Sequence, residues 1–405
     1  MKIIKLLGIL LFFAQITYSQ SSNDLVIAKN LKINSTVLGE ERAIYISVPP
    51  DYSNSKESYP VLYALDGWTG VIGMANNLSE YGLCPEMIVV VIEQVNPGRD
   101  LFPSQPKYMR GFHPAKPWYN IKEENELVLA PKCDICGQSD KYLSFIESEL
   151  IPFVDKNFRT LPYRICSGHS MGALCVTHAF LSHTNLFNSY IALSPPLYWD
   201  DGLLLRTAEE KLLGKNLKYK QIYFSIGEKE DPSTIADAHS FANILKVRAS
   251  VDLKWKLDYQ QNEDHGSGAI NGIINGLRFI YDGWRYDSDI MKAGGITAID
   301  NFYKNLTEKY GYQISPDVDT FNSIGWSVMM DGKQDEAFKI FEENTNRHPN
   351  SSSAYRYLAE GYLKANNIEM AVKTYEKALI VATNAKDENI DFIRQRLDSI
   401  KANKK

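Results

Sequence analysis

The chain has 405 residues, 44% of them hydrophobic, which is room for two or three domains with real cores and excludes intrinsic disorder and collagen-like structure. Lys and Arg number 44 against 49 Asp and Glu, a net charge of −5 with no long basic run, so nothing marks a nucleic-acid surface. Aromatics make up 12%, led by 24 tyrosines, residues that line walls for ring-shaped ligands but more often pack at core edges.

Residues 1–20 read as a secretory signal peptide: Lys2 and Lys5, an apolar core from Leu6 to Phe13, and a small, polar exit segment from Ala14 to Gln20. About ten apolar residues are too few to cross the roughly 30 Å hydrocarbon layer as a helix. Removal of this leader takes the net charge from −5 to −7 and implies a soluble, exported protein, periplasmic or secreted.

Short apolar runs then alternate with amphipathic stretches. Ala43–Val48, Val61–Leu65 and Met87–Ile92 read as strands without polar alternation, the signature of a sheet buried on both faces. The segment Asn96–Gln138, rich in Pro, Gly and aromatics, is too long for a plain connector and reads as a lid or binding loop. Within it, Cys133-Asp134-Ile135-Cys136 fits a local disulfide, a redox pair or half a zinc site, and no second ligand pair is found to complete the last. Tyr142–Asn157 predicts a helix with Tyr142, Phe145, Ile146, Leu150 and Phe153 on one face. Further strands are expected at Arg164–Cys166, Tyr190–Leu193, Gln221–Ile226 and Leu253–Tyr259, with a helix over Gly268–Trp284. Cys166 and Cys175 fall in a buried strand and a buried helix, where cysteine acts as a small hydrophobe, and Cys84 has no evident partner. Strand and helix in alternation predict a mostly parallel, doubly wound α/β domain.

The strongest chemical signal is Gly168-His169-Ser170-Met171-Gly172 between a strand and a helix. In that context G-x-S-x-G is a nucleophile elbow, whose glycines permit the tight turn that lifts a serine hydroxyl above the sheet. Such a serine needs an acid and a histidine later in the chain. Of the seven histidines, only His239 and His265 follow the sixth expected strand within the α/β region. His239 lies in a helical stretch. His265 lies in the polar loop 261–267 between the last strand and the last helix, from which a base reaches over the carboxyl ends of the strands. The turn after Gln221–Ile226 offers Glu228, Glu230 and Asp231 as orienting acids, and spacing does not choose among them. The amide of Met171 directly follows the nucleophile and is one oxyanion donor; the Asp66-Gly67-Trp68 turn makes the Trp68 amide the candidate for the other.

Beyond residue 290 the strand pattern stops and a 34-residue repeat appears. Phe321, Ile324, Gly325, Val328, Ala337 and Phe341 are answered by Tyr355, Leu358, Ala359, Tyr362, Ala371 and Tyr375, whereas Pro349 has no counterpart. This resembles the tetratricopeptide repeat, in which small residues let two helices pack closely, and Gly295–Tyr312 is expected to add an earlier helix pair or cap.

Leu65-Asp66-Gly67, the run from Phe145 to Phe153, Arg164, the elbow, and the stretch from Ser194 to Trp199 together resemble the Esterase family of α/β-hydrolases. That family includes ferric-siderophore esterases, S-formylglutathione hydrolase, feruloyl esterases and mycolyltransferases, and the siderophore-esterase-like branch is the nearest. The resemblance covers roughly residues 30–285. It implies a Ser–acid–His triad with the acid three residues after the glycine that ends its strand, which is Glu230, and an oxyanion amide at Trp68. Ala173 stands where relatives often carry another Gly, and Tyr198-Trp199 replaces a usual Trp pair.

The expected organisation is therefore a signal peptide over 1–20, an α/β-hydrolase domain over 21–290 and an all-α tetratricopeptide-like domain over 291–405. The expected catalytic set is Ser170, Glu230 and His265 with Met171 and Trp68 as oxyanion donors. Arg99, Tyr198 and Trp199 are candidate substrate contacts, Arg99 reading equally as one half of a structural salt bridge. The expected activity is hydrolysis of small-molecule or glycan carboxylic esters, of siderophore type or else feruloyl or acetyl carbohydrate esters, without metal or organic cofactor. Acyl transfer to an alcohol, and a non-catalytic binding protein working through its repeats, are the alternatives. The repeats are a candidate surface for a protein partner.

Overall fold

A computed structural model describes residues 26–50, 52–53, 55–106, 108–110, 127–129 and 136–403. The expected leader and Cys133 lie outside the described residues. In chain order the strands are β1 (Lys29–Ser35), β2 (Glu40–Ser47), β3 (Tyr59–Ala64), β4 (Ile88–Ile92), β5 (Tyr108–Arg110), β6 (Leu127–Leu129), β7 (Thr160–His169), β8 (Ser189–Leu193), β9 (Gln221–Gly227) and β10 (Lys254–Gln260). The helices are α1 (Gly70–Glu80), α2 (Pro97–Leu101), α3 (Ser139–Phe145), α4 (Ile151–Asn157), α5 (Met171–Ser182), α6 (Trp199–Leu212), α7 (Pro232–Arg248), α8 (Ser267–Ile280), α9 (Ser288–Tyr310), α10 (Val318–Met330), α11 (Gln334–Arg347), α12 (Ser352–Lys364), α13 (Ile368–Ala385) and α14 (Ile390–Asn403).

Eight strands form one sheet in the order β1-β2-β4-β3-β7-β8-β9-β10. β2 runs antiparallel to both β1 and β4, and every later pairing in the sheet is parallel. Alternate residues of the central strands feed two separate cores. Val61, Tyr63, Cys166, Tyr190 and Phe224 pack under α3 to α7, whereas Leu62, Ala64, Ile165, Ile191 and Tyr223 pack under α1, α8 and the end of α9. Both faces being covered, β3, β4 and β9 are buried along their whole length, which is why they read as unbroken apolar runs.

The seven strands expected from sequence correspond to β2, β3, β4 and β7–β10. β1 was not anticipated: Lys29, Asn30, Lys32 and Asn34 break its apolar pattern because it is the sheet's edge, where exposed polar and lysine side chains protect unpaired backbone. The segment expected as a long loop contains α2 and the antiparallel pair β5 and β6. The helix expected over Tyr142–Asn157 widens to a π-helical turn at Ile146–Leu150. Pro152 follows directly, with no N–H for the regular ladder and a ring that crowds the preceding turn, and the wider turn accommodates both.

α10 and α12 begin 34 residues apart, as do α11 and α13, and each pair packs antiparallel around small residues. A Cβ on Gly325 would stand 2.6 Å from the Phe341 ring, so this close crossing requires glycine. Ala359 and Ala371 serve the second pair and are fully buried. α14 closes the stack through Ile393, Leu397 and Ile400. The expected boundary at 290/291 falls in the first turn of α9, whose two helical stretches meet at the non-helical Gly295. Its end belongs to the sheet: Leu306, Tyr310 and the following Tyr312 are buried against Tyr163 and Tyr281. Among the described residues no helix is long and apolar enough to cross a membrane.

Candidate active site

Ser170 joins β7 to α5 with φ 55° and ψ −118°, a strained conformation held by its amide on the Leu193 carbonyl and its carbonyl on the Leu174 amide. The flanking glycines are sterically required. A Cβ on Gly168 would lie 2.5 Å from the Gly172 backbone, and one on Gly172 would lie 2.7 Å from the Asp66 carboxylate.

His265, in the turn between β10 and α8, points Nε2 at Ser170 Oγ (3.0 Å) and Nδ1 at Glu230 Oε2 (2.9 Å). The other oxygen of Glu230 accepts from the Gly227 amide (2.9 Å) and from Ser194 Oγ (2.7 Å). Burial pushes the Glu230 carboxyl up, but the hydrogen bonds from His265, Gly227 and Ser194 outweigh it and hold the carboxyl below its ordinary range. Glu228 and Asp231, equally eligible in sequence, are engaged locally. Glu228 accepts from the Asn262 amide, and Asp231 caps α7 through the Ser233 amide.

Two supporting residues lie in stretches the sequence singles out but have no role assigned from it. Ser194, just past β8 with φ 51°, holds the acid from the neighbouring strand. His169 places Nε2 2.7 Å from the His265 carbonyl, with its ring 4.7 Å from the His265 ring. Burial, and then the adjacent His265, lower the His169 pKa, and because a carbonyl only accepts, His169 Nε2–H is the donor.

A cleft of about 370 Å³ opens over the serine, lined by Asp66, Trp68, Gln94, Pro97, Leu101, His169, Ser170, Met171 and Gly172. Met171 is the first residue of α5, where amides lack intrahelical partners. Trp68 follows Gly67, whose φ of 75° makes the turn at the end of β3. The Leu65 carbonyl that starts this turn is pinned by Gln94 Nε2 and the Tyr142 hydroxyl. Asp66 lies beneath the elbow, where it accepts from the His169 amide and draws also on the Trp68 amide; burial still raises its pKa.

Arg99, expected as a substrate contact, is committed elsewhere. Its guanidinium pairs with both oxygens of Glu40 and with Asp100, which also binds the fully buried Arg42, so the cation is neutralised inside the fold. Trp199 is also withdrawn: it is 5% exposed, stacks on Phe102 at 3.6 Å and donates its indole N–H to the Ser104 carbonyl. Tyr198 is half-buried, its hydroxyl pKa raised by burial and by the charges of Asp231 and Glu230. None of the three is among the described residues lining the cleft. His239 lies on α7 against Tyr259. Cys84, Cys166 and Cys175 are buried free thiols, and Cys136 is disulfide-bonded.

The family model described as "Putative esterase" matches residues 35–271, more than half of the chain. This chain belongs to the Esterase family. Its fold is that of the α/β-hydrolases, followed by a helical region. The siderophore triacetylfusarinine C esterase of Aspergillus fumigatus is 32% identical over 177 residues, 37% of this chain and 60% of that protein, so the chain spans under two thirds of that relative's length. Among solved structures, an IroE-like serine hydrolase from Shewanella oneidensis superposes with a TM-score of 0.67 at 23% identity, over 79% of this chain and 99% of the other. An uncharacterised protein from Capnocytophaga ochracea DSM 7271 superposes at 0.61 and 16% identity over 93% of this chain and 99% of the other, a likeness of fold too extensive to stop at the sheet domain.

Proposed function

We propose that this esterase-family chain is an exported serine hydrolase that cleaves carboxylic esters through an acyl-enzyme. The observation that carries this reading is the continuous hydrogen-bonded series Ser170–His265–Glu230 at the mouth of a cleft. Ser170 Oγ attacks the ester carbonyl while His265 Nε2 takes its proton, and Glu230 holds the Nδ1 proton and stabilises the imidazolium. The Met171 amide meets the developing oxyanion, and the Trp68 amide joins it by turning from Asp66. His265 then returns its proton to the leaving alcohol. Water, deprotonated by the same nitrogen, attacks the acyl carbon and releases acid and free serine.

The similarity to siderophore esterases favours a siderophore-type ester as substrate. The basic and apolar start of the sequence and the disulfide at Cys136 favour export to an oxidising compartment. The helix pairs spaced by 34 residues support a tetratricopeptide-like reading of α10–α13 and a role in holding a protein partner.

The test compares wild type with Ser170→Ala on an aryl acetate, a ferric tricatecholate ester and a feruloylated sugar, with mass spectrometry of the quenched enzyme to catch the acyl adduct. An adduct on Ser170 and turnover of the ferric ester are expected. Equal activity in Ser170→Ala overturns the mechanism, and turnover of the feruloylated sugar alone overturns the substrate class.

A further inference from the structure

The far end of α5 holds a second cluster of reactive side chains that the proposed chemistry does not use. His178, near the end of the helix, and His183, its C-terminal cap, both direct Nε2 at one oxygen of Asp140, from the first turn of α3, at 2.7 and 2.9 Å. The three ligand atoms lie within 4.8 Å of one another, and among the described residues no other trio of His, Cys, Asp or Glu does so. From this geometry we infer a binding site for a borderline divalent transition cation of the Zn²⁺ type, ligated by Asp140, His178 and His183 and clamping the start of α3 to the end of α5.

Two imidazole nitrogens and one carboxylate oxygen form a donor set that suits such ions, with bonds of about 2.0–2.2 Å. Tetrahedral bonds of that length set donors about 3.3 Å apart, so the cluster must open by about half an ångström from its present contacts. The side chains differ in their freedom to do so. That of His178 is 7% exposed and His183 is fixed at the helix cap, whereas the Asp140 side chain is 68% exposed and free to swing outward. The same exposure leaves the remaining coordination positions to water. The helix end adds favourable negative potential from the dipole of its last turn. Lys211 and Lys215, bonded to Ser182 Oγ and the Leu181 carbonyl at the same end, oppose a dication.

α5 connects this cluster to the elbow. His178 is eight positions after Ser170, about 12 Å along a helix. A cation here acts on the framework and not on the ester, and the site stands or falls independently of the proposed catalysis.

The experiment uses full-length, tag-free protein stripped with a chelator and titrated calorimetrically with Zn²⁺, then with Co²⁺ while visible ligand-field bands are recorded. The expected result is one ion per chain and Co²⁺ bands of low coordination number. Asp140→Asn and His183→Gln should each weaken binding at least about tenfold and abolish the bands, and His239→Gln on α7 should change neither. Circular dichroism certifies each variant, and His183→Gln, at a partly exposed cap, carries the test if Asp140→Asn fails to fold. Absence of Co²⁺ bands in the wild type, or Zn²⁺ binding that both cluster variants leave intact, overturns the inference and leaves a hydrogen-bonded brace.

Discussion

Glu230→Gln is the most informative single change, because the surroundings of the carboxylate dictate what an amide must do there. One oxygen of Glu230 faces two donors, the Gly227 amide at 2.9 Å and the Ser194 hydroxyl at 2.7 Å, and the other faces His265 Nδ1 at 2.9 Å. A glutamine that kept its oxygen on the two donors would turn its NH₂ toward His265. Nδ1 must then accept, the ring proton moves to Nε2, and Nε2 is no longer able to take the proton of Ser170. The opposite orientation sets NH₂ against the Gly227 N–H and strands a buried donor at a cost of about 1–3 kcal/mol. Since the Glu230 side chain is only 4% exposed, water does not relieve either arrangement. The first orientation wins, and the wrong tautomer should lower kcat by roughly 10³- to 10⁴-fold, about 4–5.5 kcal/mol in the barrier, with KM little changed. The assay is steady-state hydrolysis of a p-nitrophenyl ester, with near- and far-UV circular dichroism to certify the fold. Glu228→Gln and Asp231→Asn are the controls. Asp231→Asn keeps a good helix cap and should cost a few tenths of a kcal/mol in stability with activity near wild type. Glu230→Gln within tenfold of wild type, or Asp231→Asn as the damaging change, would refute the assignment.

Ser170→Ala should lose at least about a thousandfold in turnover while keeping the wild-type dichroism, since alanine keeps the Cβ and the same backbone turn. His169→Phe keeps the ring but loses the N–H that holds the His265 carbonyl. It should lower kcat roughly fivefold, the worth of about one hydrogen bond, and His169→Gln should recover part of that loss in the same assay. The depressed Glu230 pKa adds stability that is complete above the ordinary value of about 4.5 and is lost as pH falls through the folded value. Urea midpoints of wild type and Glu230→Gln should therefore converge on acidification below pH 4.5; a constant gap would show that the carboxylate is not held by its partners. Truncation after Asp289 strips Leu306, Tyr310 and Tyr312 from Tyr163 and Tyr281. At about 1.5–3 kcal/mol per buried large side chain, that loss rivals the whole stability of a domain. That protein should be insoluble or unfolded by dichroism, whereas truncation after Pro316 should stay folded.

How much of this was legible in the residues depended on the range of the interactions involved. The elbow was plain because its turn is local: Gly168 is dictated by the Gly172 backbone four residues on, and a serine between strand and helix completes the pattern, although the space that Gly172 leaves is taken by Asp66 from the end of β3. The all-buried strands were legible because a sheet covered on both faces leaves no polar alternation, and edge strand β1 escaped for the converse reason. The position of His265 followed from chain order and its loop. The fate of the charged and polar side chains was decided only in three dimensions. Glu228, Glu230 and Asp231 are interchangeable in sequence, and what separates them is Ser194, brought from the adjacent strand to the back of one carboxylate. Arg99 invites an anionic ligand until the fold delivers Glu40 from β2 to its guanidinium. Asp140, His178 and His183 are unremarkable until α3 and α5 lie side by side. A backbone pattern is set by the short-range sterics and burial that each segment carries with it. A charge takes its partner from whatever the chain brings within about 4 Å, and that partner can lie a hundred residues away.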